Sequence, residues 1–294
     1  MAEGRIVKAI SGFYYVKSDG EVHQCRGRGV FRKQKITPLV GDFVEYDINT
    51  PDEGYVTDVK PRKNELIRPP IANIDQAVIV SSAAKPDFNP LLLDRFLVLI
   101  ESKGIRPIIF ITKKDLVPDS QLEKIKKIRE IYREIGYPVE LISTKSEANE
   151  VNKLEGYFSD KVSVFAGQSG VGKSSLLNAI NPSLELKTDD ISKSLGRGKH
   201  TTRHVELIEM GGGLVADTPG FSALDFNELE ASELGDCFPE IEERSIDCKF
   251  RGCLHNKEPK CAVKEAVASG EITELRYEHY LSFLDEIYSR KPRY

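Results

Sequence analysis

Gly167-Gln168-Ser169-Gly170-Val171-Gly172-Lys173-Ser174-Ser175 lies in the middle of the chain, and Thr112-Lys113-Lys114-Asp115 lies upstream of it. The first stretch carries the GxxxxGKS pattern of a phosphate loop. Its glycines let the backbone wrap tightly, so that consecutive N–H groups and the head of the following helix face an anion. Lys173 is placed to reach β- and γ-phosphates, and Ser174 to offer an oxygen to Mg²⁺. An apolar run at 162–165 precedes the loop, and Leu176, Leu177 and Ile180 follow at helical spacing. This is the strand–turn–helix setting the motif requires.

Outward from this loop, apolar runs at 76–82, 107–112, 139–143, 204–210 and 213–218 suit strands of a mostly parallel sheet buried on both faces. Leu122, Ile125, Ile128, Tyr132 and Ile135 recur at helical spacing between two of them. The pattern predicts a doubly wound α/β domain. Asp217-Thr218-Pro219-Gly220 closes the last run, where an Asp can hold a metal through water and a Gly amide can meet a γ-phosphate. The polar, glycine-rich stretch 196–203, which holds His200, Thr201 and Thr202, suits a loop that orders when a Thr meets Mg²⁺; either threonine can serve. Phe221 follows Gly220 where some GTPases carry the Gln that orients attacking water, so intrinsic hydrolysis is expected to be slow. His200 is the candidate to orient that water or take its proton, or else it is a solvated or RNA-contacting residue.

The base is read from Thr112-Lys113-Lys114-Asp115, directly after the run 107–111. A carboxylate there can accept from both the ring N–H and the exocyclic amine of guanine, whereas adenine presents no matching donor pair. Lys113 can lay its stem along the purine. Ser143-Thr144-Lys145, after the run 139–142, offers backbone to the guanine oxygen.

The N-terminal region is textured differently. Alternating segments at 5–10, 13–17, 22–26, 43–48 and 55–60 read as strands of a small barrel of OB-fold size. Arg26, Arg28, Arg32, Lys33 and Lys35, with Gly27, Gly29 and Phe31 among them, can meet phosphates and stack a base, or form a solvated loop. The formal net charge of −4 excludes a protein that coats nucleic acid by bulk charge, so any RNA contact is regional. No apolar run is long enough to span a membrane and the N-terminus has no signal layout, which predicts a cytoplasmic protein with no membrane partner. Near the C-terminus, Cys248, Cys253, His255 and Cys261 supply three thiolates and an imidazole, enough for a closed structural Zn²⁺ site, although buried free thiols are the alternative. Cys25 and Cys237 read as inert thiols. Two helices are expected near 262–268 and 274–288.

Together these motifs, in the order TKKD, GQSGVGKS, GRGKHTTR, DTPGF and then the Cys/His cluster, resemble the RsgA (YjeQ-like) family of circularly permuted GTPases that depend on the small ribosomal subunit. The resemblance covers nearly the whole chain. It implies a multidomain α/β protein: an OB-fold RNA-binding domain at 1–67, a circularly permuted GTPase domain at 68–225, and a zinc domain with C-terminal helices at 226–294. It also implies one Zn²⁺ per chain, Mg²⁺ with GTP, GDP as product, and the small ribosomal subunit with its rRNA as partner to a monomeric protein. Thr112 departs from GTPases at large, where Asn ties the guanine loop to the phosphate loop. Two other classes stand beside this one. A nucleotide-regulated rRNA-binding factor with incidental hydrolysis differs from it in GTP turnover with added subunits, and an ATP-dependent metabolic enzyme differs in its competing nucleotide.

Overall fold

The alternating N-terminal segments form β1 (Ala2–Ile10), β2 (Phe13–Ser18), β3 (Glu21–Gly27), β4 (Phe43–Thr50) and β5 (Glu53–Val59). These close into a barrel in the order β1-β2-β3-β5-β4. The molecule is a computed structural model that describes residues 2–29, 31, 35–50, 53–67, 69–143, 153–184, 205–219 and 224–290. Period-two burial is visible where Ile6, Val16, Cys25, Val44, Tyr46 and Val56 point inward. β1 pairs with both β2 and β4, antiparallel in each case, and this closure leaves no open edge. The fully buried Asp42 accepts from Arg62 at both oxygens, at 2.7 and 2.8 Å, and its Oδ2 also takes the Leu39 N–H at 2.7 Å. A buried carboxylate held this way leaves few lone pairs unmet.

Phe31 corrects one expectation. Its side chain is only 4 % exposed and lies against Gly27, so it is a buried residue and not a stacking platform. The aromatic rings that meet arginines are Phe13, 4.9 Å from the Arg26 guanidinium, and the exposed Phe43, 4.1 Å from that of Arg5. Arg28 is bonded to Asp47 at 3.2 Å, and Arg32 and Lys33 lie outside the described residues.

A short two-stranded sheet, β6 (Glu65–Leu66) with β7 (Ile71–Ala72), follows the barrel. The remaining strands are β8 (Gln76–Ser82), β9 (Arg106–Thr112), β10 (Val139–Leu141), β11 (Val162–Ala166), β12 (Leu207–Met210) and β13 (Gly213–Pro219), in the sheet order β10-β9-β8-β11-β13-β12. Their burial is continuous, with every residue of β11 and all but the first of β9 buried, as a sheet covered on both faces requires. β10 pairs parallel to β9 and β11 parallel to β13. β12 is the exception, because it runs antiparallel to β13 through the two-residue turn Gly211-Gly212. Both glycines hold positive φ, 56° and 76°, which the tightest hairpin turns require.

By contacts the chain forms two compact units, Met1–Val78 with Thr144–Ser222 and Ile79–Ser143 with Ala223–Tyr294. The second contains α1 (Pro90–Glu101), α2 (Asp119–Ile135), α4 (Pro239–Ser245), α5 (Ala262–Ser269) and α6 (Glu274–Tyr288), while α3 (Lys173–Ile180) belongs to the first. α1 starts on Asn89, whose side chain accepts the Leu92 N–H, with Pro90 in the first turn. The C-terminal helices share a core of Phe226, Leu234, Phe238, Tyr280 and Phe283 with Val98 of α1.

A charged group is buried beside that core. Arg276 of α6, fully buried, donates to Asp94 of α1 at 2.5 Å and to Glu240 of α4 at 2.7 Å, and Tyr132 of α2 donates to the same Asp94 at 2.7 Å. His279 contacts the second Asp94 oxygen at 2.5 Å. Burial alone would discourage charge on Arg276, but Asp94 and Glu240 outweigh it and hold the guanidinium charged. Breaking one side of such a buried pair costs about 3–5 kcal/mol, because the remaining charge is stranded. Four helices are therefore tied through one carboxylate and one guanidinium.

Candidate guanine-nucleotide and metal sites

In the first unit, the phosphate loop leaves the buried end of β11 and enters α3. Gly167, Gly170 and Gly172 hold φ of 135°, 79° and 96°, conformations that side chains resist, and they let successive amides turn inward. Val171, 2 % exposed, anchors the loop from below, while Gln168, Ser169 and Gly170 are exposed. Gly172 caps α3, and its carbonyl takes the Leu176 N–H at 2.9 Å. Lys173 and Ser174 are buried in the first turn, with Ser175 half-buried beside them.

Lys173 folds back so that Nζ donates to the Gly167 carbonyl at 2.7 Å and the Gln168 carbonyl at 2.6 Å. Burial pushes this ammonium down to about 8. A desolvated cation held by neutral carbonyls at the head of a helix suits a phosphate, which would favour its charged form.

Asp217 lies in β13, the parallel neighbour of β11. Ser163 pairs with Val215 but Phe165 with Pro219, so two steps along β11 match four along β13, and the irregularity brackets Asp217. Such irregularities re-aim side chains next to sites. The Asp217 carboxylate accepts the Glu206 N–H at 3.0 Å. Ser174 and Asp217 offer hard oxygen donors of the kind Mg²⁺ takes. Gly220, His200, Thr201 and Thr202 lie outside the described residues.

In the second unit, β9 ends at the buried Thr112, whose hydroxyl donates to the Ser81 carbonyl at 3.1 Å and whose own carbonyl takes the Ala83 N–H at 2.9 Å. Lys113 then turns the chain with φ of 59°, and its ammonium donates to the Lys85 carbonyl at 2.5 Å. Burial lowers the Lys113 pKa. Asp115 sits exposed in the short 3₁₀ turn Lys114–Leu116. The Lys114 N–H reaches the Ile142 carbonyl at 3.3 Å, which brings this turn next to the buried Ser143. Thr144 and Lys145 fall outside the described residues.

The Cys/His cluster is also in the second unit. The ligand atoms of Cys248, Cys253, His255 and Cys261 lie within 4.8 Å of one another. Cys248 Sγ is 3.5 Å from His255 Nδ1 and 3.9 Å from Cys261 Sγ, and His255 Nδ1 is 3.4 Å from Cys261 Sγ. A tetrahedral zinc shell has S–S edges of about 3.8 Å and S–N edges of about 3.5 Å, so this donor set fits a metal ion. Burial lowers the His255 pKa and keeps its ring neutral, as ligation requires.

Three side chains that belong to no sequence motif brace this loop. Tyr277 of α6 donates to the His255 carbonyl at 2.6 Å and Tyr280 to the Leu254 carbonyl at 2.8 Å, while Glu258 accepts the N–H groups of Leu254 and Asn256, both at 2.9 Å. Such outer partners fix ligand orientation. By contrast, burial pushes the Cys25 and Cys237 thiols up to about 11 and about 12, which makes them unreactive.

Residues 3–56 match the RsgA N-terminal domain model and residues 59–227 the RsgA GTPase model. The chain is 66 % identical over 294 residues to small ribosomal subunit biogenesis GTPase RsgA 2 of Oceanobacillus iheyensis, and 60 % identical over 299 residues to RsgA of Bacillus subtilis, with each chain covered completely. Among solved structures, YloQ, described as a circularly permuted GTPase, is 56 % identical with a TM-score of 0.87, covering 100 % of this chain and 97 % of that one. YjeQ from Thermotoga maritima is 39 % identical at the same TM-score, covering 98 % and 99 %. The chain belongs to the RsgA GTPase family.

Proposed function

We propose that this protein hydrolyses GTP to GDP and phosphate on the small ribosomal subunit, that the subunit stimulates the reaction, and that turnover is coupled to late subunit maturation. The observation that carries the nucleotide reading is Lys173, a buried ammonium held over its own glycine loop at the head of α3. Full-length kinship to proteins named small ribosomal subunit biogenesis GTPases supports the partner.

The amides of Gly167 to Ser175 hold the phosphates, and Lys173 neutralises charge that builds on the β- and γ-oxygens. Ser174, Asp217 through water, and Thr202 or Thr201 would hold Mg²⁺, which would supply positive charge against the phosphate oxygens. The Gly220 amide meets the γ-phosphate. Asp115 accepts from the guanine ring N–H and amine, Lys113 lies along the purine, Thr112 shapes the turn, and Ser143, Thr144 and Lys145 face the guanine oxygen. His200 orients the attacking water, whose oxygen bonds to the γ-phosphorus as the bond to the GDP oxygen breaks. The barrel at 1–67 contacts rRNA through Arg26, Arg28 and their neighbours, the GTPase domain runs over 68–225, and the region 226–294 holds one structural Zn²⁺. A cytoplasmic monomer with no membrane partner fits this role.

GTP turnover measured with added small subunits, large subunits and free rRNA tests the reading. Turnover is expected to rise at least about tenfold with small subunits alone, and His200→Ala to remove about 100-fold of that rate while retaining GDP binding. A rate indifferent to all three additions leaves hydrolysis incidental.

The Lys173 ammonium supplies a pH test. Its free pKa of about 8 is raised by a bound phosphate, so binding takes up a proton above that pH. GDP affinity should be level below about pH 8 and fall as pH rises through it, by up to about tenfold per unit. Lys173→Arg, which stays charged, should flatten the curve between neutral pH and the onset of guanine ionisation; an equally steep curve would contradict the assignment. For the Cys/His cluster, elemental analysis should give one zinc per chain, and Cys261→Ser should lower Tm by more than about 5 °C.

A further inference from the structure

Glu206 immediately precedes β12 and is held from two sides. On one side it extends the β12–β13 ladder, whose pairs run from Met210↔Gly213 to Leu207↔Ala216. The Asp217 N–H donates to the Glu206 carbonyl at 2.9 Å, as a hydrogen-bonded antiparallel pair should. The return bond is different: the Glu206 N–H goes to Oδ1 of the Asp217 side chain, at 3.0 Å. One oxygen of the carboxylate assigned above to Mg²⁺ is therefore oriented by the backbone position of residue 206.

On its other side, Glu206 forms an antiparallel bridge with Lys8 of β1 in the barrel. Its carboxylate completes the contact, with Oε2 2.7 Å from Lys8 Nζ and side chains 32 % and 29 % exposed. Lys8 also lies over the Tyr15 ring, 5.9 Å from its centroid. A neighbouring ion pair joins Lys17 of β2 to Glu209 of β12, but Glu209 faces Leu214 in the ladder, away from Asp217. An exposed ion pair is commonly worth little. This one differs because its carboxylate belongs to a residue whose backbone is already committed at both edges, so a shift of β1 is transmitted as a shift of the Asp217 acceptor.

We propose that Lys8 and Glu206 are positioning residues for Asp217, through which the barrel's first hairpin sets the Mg²⁺ dependence of nucleotide binding. The inference rests on the reading of Asp217 as the metal's carboxylate. Its consequence is directional: a ligand that strains β1 loosens the metal, and by linkage a bound metal alters the barrel's affinity for that ligand.

The test uses the full chain and the dissociation of mant-GDP across a Mg²⁺ titration, with an EDTA reference. Lys8→Met, which keeps the stem over Tyr15, and Glu206→Gln should each raise the Mg²⁺ concentration for half-maximal retention by about three- to tenfold. The double variant should be no worse than either single one, and the exchange Lys8→Glu with Glu206→Lys should return to within about twofold of wild type. Dissociation in EDTA should be unchanged. Lys17→Met, which removes only the neighbouring pair, should leave the titration in place; a shift equal to that of Lys8→Met would mean general loosening and overturn the proposal. Should Lys8→Met fail to fold, Glu206→Gln carries the same test. Unmoved Mg²⁺ curves in both variants overturn the positioning role alone, whereas a wild-type chain whose mant-GDP retention ignores Mg²⁺ overturns the underlying site reading.

Discussion

Side-by-side pairing of the parallel strands β11 and β13 is the constraint on which the chemistry depends. One strand ends in the phosphate loop and the other carries Asp217 near its C-terminal end, so their pairing fixes a Lys, a Ser and an Asp from distant parts of the sequence. The register shift between Ser163 and Phe165 works at the same point. It spends ladder regularity near Asp217, and the carboxylate recovers a bond by accepting the Glu206 N–H. Local irregularity beside a site is a common means of aiming a side chain.

The second unit solves a different problem. Its guanine turn stands at the end of β9, and the C-terminal helices pack on α1 of the same unit. The C-terminal helices hold an apolar core, but the Cys/His segment beside it is loop-rich and mostly exposed. Two devices compensate: the donor cluster, which fits a metal, and the buried Arg276, which reaches Asp94 and Glu240 at once. A buried ionic group does little for net stability against an apolar substitute, but removing one partner strands the other charge, which holds the helices that share it together.

Much of this was legible in the sequence, for definite reasons. The five barrel strands follow from two-residue alternation, and β8 to β11 and β13 from short apolar runs with turn residues between them. The phosphate loop and the Cys/His cluster are local in sequence, so spacing marks both as candidates, with free thiols left as the alternative for the second. What escaped depends on partners far along the chain. The direction of β12 is the exception, set locally by the Gly211-Gly212 turn between two apolar runs that otherwise look alike. Phe31 looks available for stacking because it stands among basic residues, yet its side chain is buried. Glu206, Asp94, Tyr277 and Tyr280 carry no motif at all, and each acquires its role only through a contact with another element.

A guanine base read by Asp115 is what the phosphate, Mg²⁺ and His200 roles all presume. A carboxylate at this position accepts two donors from guanine, while an amide presents a donor that suits the 2-oxo group of xanthine instead. Affinities of GTP and xanthosine triphosphate for the wild-type chain and for Asp115→Asn therefore test it directly. Asp115→Asn should lose GTP affinity by about 100-fold or more and gain affinity for xanthosine triphosphate. Undiminished GTP binding by Asp115→Asn, with xanthosine triphosphate still rejected, would contradict the account.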